Sequence, residues 1–101
     1  MAGRPRSDRD VFRAVADPTR RAALEVLGTR GEQTVSALAG ATGAEMPILS
    51  RHLAILRECG LVTQRQTGRN RLYRIEPDGL REVFDWVAPF AELWGAPQPS
   101  S

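Results

Sequence analysis

Apolar positions along this chain recur mostly at helical spacing, and glycines and prolines cut the pattern into short units. Val11, Phe12 and Val15 share one face of a first helix over residues 8–16. Asp17-Pro18-Thr19 restarts the helix: Asp17 is placed to cap free amides, and Pro18 suits a first helical position, where no donor is needed. The second helix, 18–28, turns Ala23, Leu24 and Leu27 inward, and Gly28 and Gly31 are expected to end it. Thr34-Val35 reads as one short strand. Ser36 reads as the N-cap of a third helix, with Leu38, Ala39 and Thr42 on its core face and Gly43 at its end. The fourth helix runs from near Pro47 to Gly60, with Leu49, Leu53 and Leu56 as its buried stripe. Residues 61–66 and 71–75 are rich in Val, Thr, Tyr and Ile and read as two strands, with Gly68 and Asn70 supplying the positive φ of a hairpin tip.

Two helices separated by residues 43–46 make a helix-turn-helix pattern, whose second helix is the one expected to enter a major groove. The ribbon is too small to stand alone, so it must lie against the helices as a wing. Pro77 and Asp78 open a last helix, with Leu80, Val83, Phe84, Val87, Ala91 and Trp94 at helical spacing. Trp86, Phe90 and Leu93 lie off that stripe, so the helix is apolar over more than one face needs. Pro89 is expected to kink or split it. The predicted fold class is therefore mainly α with a small β-hairpin. A chain of 101 residues makes one domain with a marginal core. Residues 1–7 read as a loose arm, 8–94 as the folded domain and 95–101 as a disordered tail.

Charge sharpens this outline because it is segregated. From Met46 to Ile75 there are six arginines (51, 57, 65, 69, 71, 74) against one acid, Glu58. From Glu76 onward there is one arginine, Arg81, against five acids (76, 78, 82, 85, 92). The net charge is only +2, so the segregation says more than the total. A basic helix followed by a basic ribbon is an arrangement for holding a polyanion. No lysine occurs, and arginine forks suit phosphates and guanine edges better. The first ten residues have no apolar segment, and no run is long enough to span a bilayer, so the expectation is a cytoplasmic protein without a membrane partner.

Ser50 and Arg51, exposed on the fourth helix, are the leading candidates for DNA contact. Ser50 would bond phosphate, and Arg51 would fork onto a guanine or grip phosphate. Met46 and Pro47 stand at the start of the same helix. Arg65, Arg69, Asn70 and Arg71 on the ribbon are candidates for minor-groove or phosphate contact, with solvated turn residues as the alternative. His52 lies between the buried stripe and the groove face. It either hydrogen-bonds inside the domain and orients the helix, or reaches DNA. Cys59, the single cysteine, is expected to pack rather than react. Asp85 and Glu92 are seven apart, and exposed carboxylates so placed are ordinarily only solvated.

Together DPTRRAALEVL (17–27), SRHLAILRECGLV (50–62) and GRNRLYRI (68–75) resemble the winged-helix repressors of the ArsR/SmtB class. The closing DWVAPFAELW is similar to a metal-free branch of it. The resemblance implies a winged helix-turn-helix of order α1-α2-α3-α4-β-β-α5. It also implies a homodimer built by the terminal helices, which places Val11, Phe12, Val15, Val83, Phe84, Val87, Phe90 and Trp94 at the interface. The implied function is repression by binding double-stranded operator DNA as an inverted repeat. Three departures stand out. Glu45-Met46 replaces the Ser-Gln expected before the recognition-helix proline, and Arg71 replaces an apolar ribbon residue. The metal-binding Cys and His sets are missing, so no metal site or cofactor is carried over, and no effector is named. The alternative function is a winged-helix protein-interaction module. An enzyme is disfavoured: no nucleophile–base pair or phosphate loop appears, and Cys59 and His52 lie two helical turns apart.

Overall fold

The computed structural model describes residues 10–94, so the expectations for the 1–7 arm and the 95–101 tail lie outside the described residues. The chain order is α1 (Val11–Ala14), α2 (Pro18–Arg30), β1 (Gln33–Thr34), α3 (Val35–Thr42), α4 (Met46–Glu58), β2 (Val62–Thr67), β3 (Asn70–Ile75) and α5 (Arg81–Ala91). A 3-10 turn, Pro77–Leu80, precedes α5 and another, Glu92–Trp94, follows it. The mainly helical fold with a small antiparallel ribbon matches the winged-helix outline.

Several boundaries differ from those expected, each for a local reason. α1 is only four residues long because Asp10, whose carboxylate accepts from the Phe12 amide, caps it two residues later than the apolar spacing suggests. α2 runs through Gly28 and ends at Gly31, whose φ of +84° suits a glycine. Thr34, not Ser36, caps α3: its hydroxyl accepts from the Ala37 amide at 3.1 Å. Gln33 and Thr34 pair with Tyr73 and Leu72, so the sheet has three strands in the order β1-β3-β2. Gly68, with φ +60°, and Arg69 form the hairpin tip, while Asn70 already belongs to β3 and pairs with Thr67. Pro89 neither splits nor ends α5; the helix continues to Ala91 and tightens only at Glu92.

The core is a leucine cluster collected from every layer. Leu27, Leu38, Leu49, Leu53, Leu56, Leu61 and Val62 are fully buried, with Tyr73 of β3 closing one side. The stripe on α4 is thus its inner face, as its spacing requires. The end of α4 is a Schellman turn: Leu61 N–H bonds the Leu56 carbonyl at 2.9 Å and Gly60 N–H bonds that of Arg57 at 3.0 Å. That turn buries Leu61 and starts β2 immediately, so the helix and ribbon are joined without a flexible linker. α1 lies on α5 through the edge of Phe12 against Trp86, with ring centroids 6.0 Å apart.

Candidate nucleic-acid interface

α4 has its buried leucines on one side, which leaves Pro47, Ser50, Arg51, Ala54 and Arg57 exposed on the other. Met46 is 47% exposed at its first turn. Gly43, at φ +80°, ends α3 and donates to the Ala39 carbonyl at 2.8 Å, which sets the angle into α4. Glu45 occupies the N-cap position, yet its side chain makes no capping hydrogen bond. The first-turn amides of α4 are therefore not taken by a side chain at that position, a state that suits an anion. Small side chains at Ser50 and Ala54 let a backbone approach closely.

On the ribbon, Arg69, Asn70 and Arg71 are all exposed. Among the described residues no carboxylate pairs with Arg51, Arg57, Arg69 or Arg71. Arg65 is different. Its guanidinium forks onto Glu32, Nε to Oε2 at 2.8 Å and Nη2 to Oε1 at 2.9 Å. The hydrogen bond from Arg65 holds the Glu32 carboxyl below its ordinary range. Arg74 likewise leans on Glu76 at 3.3 Å. A shallow cleft of about 260 Å³ lined by Glu32, Thr63, Gln64, Arg65, Leu72 and Arg74 lies at this root of the wing. The structure thus separates the ribbon's arginines: among the described residues those near the tip meet no carboxylate, and those near its base are tied to acids.

His52 is placed by packing. Its side chain is 19% exposed. Arg20 Nη1 lies 3.0 Å from its Nδ1, and Asp17 Oδ2 lies 3.8 Å from its Nε2. Of the two placements open to this histidine, the structure displays a hydrogen bond inside the domain. Arg20 and Glu32 are the residues the sequence reading missed. Asp17 and Arg20 stand three apart at the start of α2, a cap-and-partner spacing, but nothing local tells which distant groups an arginine will reach. Cys59 is half-buried, with Sγ 3.8 Å from the Asp10 carbonyl. Among the described residues no group of three or more His, Cys, Asp or Glu is assembled as a metal-ligand set.

Of the expected interface residues, Val11 is spent in the protomer's own core, at 6% exposure. Phe12, Val15, Val83 and Val87 are partly buried, while Phe84, Phe90 and Trp94 are exposed. Trp86 and Leu93, which lie off the helix's main stripe, are more exposed than Phe90, at 60% and 79% against 43%. No helix among the described residues is long and apolar enough to cross a membrane.

A family model described as "Bacterial regulatory protein, arsR family" matches residues 17–64, from the cap of α2 to the start of the ribbon. The chain is 40% identical over 89 residues to the arsenical resistance operon repressor of Escherichia coli, covering 87% of this chain and 73% of that one. The chain belongs to the arsR family of bacterial regulatory proteins. It is also 39% identical over 77 residues to the arsenic resistance transcriptional regulator ArsR1 of Pseudomonas putida, covering 76% of this chain but only 57% of that protein. Among solved structures, a homodimeric winged helix-turn-helix DNA-binding domain from Mycobacterium bovis superposes with a TM-score of 0.67 at 32% identity, covering 89% of this chain and 84% of the other. The winged-helix architecture and the transcriptional-regulator class therefore hold for this arsR-family chain.

Proposed function

We propose that this arsR-family chain is a homodimeric repressor that reads an inverted-repeat operator with α4 and steadies itself with the ribbon tip. The observation that carries the reading is the outer face of α4. Pro47, Ser50, Arg51, Ala54 and Arg57 are exposed together, and its one acid, Glu58, stands at the far end. Arg51 is the base-reading candidate, Ser50 the phosphate ligand, and Arg69, Asn70 and Arg71 the outlying contacts. Met46 and Pro47 place the helix start against the duplex. Arg65 acts at one remove, by fixing the wing through Glu32. The similar Mycobacterium bovis domain is homodimeric, and the exposed aromatic surface of α5 gives this chain a face for the same assembly. Two-fold symmetry would set the two α4 helices about 34 Å apart, in successive major grooves.

Selection of duplexes from a random-sequence pool, followed by gel shifts over a salt series, tests the proposal. A selected site with two symmetric half-sites is the expected result, with affinity falling steeply as salt rises. Failure to bind heparin or random duplex at low salt would instead favour a protein-interaction module working through α5.

A further inference from the structure

We propose that Arg20 is a positioning residue for DNA recognition: its guanidinium ties the rotation of α4 to the end of α1. The proposal rests on the DNA-binding role assigned to α4. Arg20 sits in the first turn of α2, where its backbone amide donates to Asp17 Oδ2 at 3.0 Å. Its side chain reaches two other elements. Nε donates to the Ala14 carbonyl at 2.7 Å, Nη2 to the Arg13 carbonyl at 3.2 Å, and Nη1 to His52 Nδ1 at 3.0 Å. A guanidinium is flat and rigid, with five N–H donors in fixed directions. Three acceptors on one such group cannot move independently of one another.

Both ends of this bridge have a reason to need it. α1 is a four-residue helix, so its last carbonyls have no partner within the helix. Arg20 takes that of Ala14 and shares that of Arg13 with the Ala16 amide, and Arg21 Nη1 takes that of Val15 at 2.8 Å. At the other end, guanidinium only donates, so Nδ1 of His52 must accept. The neutral ring then carries its proton on Nε2, the nitrogen that faces Asp17 at 3.8 Å. The imidazole is hydrogen-bonded at its Nδ1 edge and faces a carboxylate at the other. His52 adjoins Arg51 on α4, so the same constraint sets the direction in which Arg51 leaves the helix.

The bridge also has an input. The far side of α1 carries Phe12, whose ring meets Trp86 of α5. A partner copy seated on the aromatic surface of α5 would order α1, and through its carbonyls the Arg20 fork. The path from dimer face to reading helix is thus Trp86, Phe12, the end of α1, Arg20 and His52. A general charge at position 20 would not transmit this, because only a fork holds several acceptors in one plane.

The test uses the full chain, with ¹⁵N spectra of His52 and binding to two duplexes: one selected from a random pool by the wild-type protein, one of random sequence. In the wild type, the neutral ring is expected as the Nε2–H tautomer. Arg20→Ala should reduce that preference, which the Asp17 carboxylate alone would then support, and weaken the selected duplex about tenfold, the scale of one lost charge-assisted hydrogen bond, while the random duplex loses much less. Arg20→Lys should not restore it. In a His52→Ala background, Arg20→Ala should cost nothing more, since the two act as a unit. Recovery by lysine, additive losses, or an unchanged tautomer in Arg20→Ala would each overturn the proposal. Should the alanine variant fold poorly, Arg20→Gln keeps part of the stem and one NH2 group without the fork, and the same readouts decide. Arg51→Ala separates the two readings. If it leaves selected binding intact, the contact assignment fails, while the tautomer and the Arg20–His52 coupling still test the bridge. A wild-type chain that selects no duplex removes the DNA-binding role and the positioning role together.

Discussion

Asp17 shows how one side chain can serve a helix and a site at once. It caps α2 by accepting from the Arg20 amide at 3.0 Å, and the same carboxylate faces the ring of His52. Burial pushes its pKa up, but the Arg20 amide bond, the neighbouring His52 ring and the Arg20 guanidinium together outweigh that, so the pKa is lowered. A carboxyl with a depressed folded pKa stabilises the fold above its unfolded value, and the contribution is lost as pH falls through the folded value. Asp17→Ala should therefore cost about 1 kcal/mol near neutrality, typical of a lost N-cap. The difference from wild type should shrink once both pKa values have been passed in acid. Urea melts of both proteins at pH 7 and at pH 3 would check this, and an equal gap at both pH values would contradict it. Arg51 is the complementary case: it is exposed, and its proposed contact lies outside the protomer. Its replacement by alanine should leave the melt unchanged and weaken specific duplex binding by about 1–3 kcal/mol if it forks onto a base. Equal weakening of all duplexes would mean a phosphate contact instead.

Two glycines make opposite predictions at the scale of elements. Gly28 lies inside α2, and a methyl group there would meet only Ile75 Cδ1, at 3.9 Å. Gly28→Ala should therefore raise stability by about 0.5–1 kcal/mol, read as a higher thermal midpoint. Gly79, in the 3-10 turn before α5, packs directly over the Schellman turn of α4. A methyl group there would fall on the Gly60 carbonyl oxygen, with Leu61 Cδ2 at 3.0 Å. Gly79→Ala should cost about 1–3 kcal/mol through backbone displacement, and a neutral result would show that the turn yields freely. The pair also marks what the sequence can disclose. The leucine stripe of α4, Gly43 as a helix end and the Asp17-Pro18 restart are local patterns, and each is found where the pattern puts it. Of the two glycines that read as ending α2, Gly31 does so and Gly28 does not, because the helix continues past it to Arg30. Gly79 looks like an ordinary turn residue because the constraint comes from a backbone nearly twenty residues away. The Arg20–His52 and Glu32–Arg65 contacts span 32 and 33 residues, and no local period encodes them.

Over the whole molecule, the division of charge along the chain corresponds to a division of labour: arginines around α4 and the ribbon, acids and exposed aromatics on the last helix. Phe84, Trp86, Leu93 and Trp94 are each at least 60% exposed, more apolar surface than a soluble monomer ordinarily leaves in water. Self-association is the economical cover for it, and α5 is then the lever for testing the dimer. Trp86 is a poor choice for substitution, because its ring contacts Phe12 and Phe90 within the protomer. Phe84 is better: at 64% exposure it borders a shallow depression with Pro77, Asp78, Leu80 and Arg81. Phe84→Glu should leave the protomer folded by circular dichroism but shift sedimentation from dimer toward monomer, since it adds a charge to an acidic helix and removes an aromatic anchor. Binding to an inverted repeat should then weaken and become strongly dependent on protein concentration, because dimerisation would have to be completed on the duplex. Affinity for an isolated half-site should not change, as α4 is untouched. A variant that remains dimeric at micromolar concentration would move the interface away from this part of α5, while a variant that loses half-site binding would show that Phe84 supports the fold of the reading head itself.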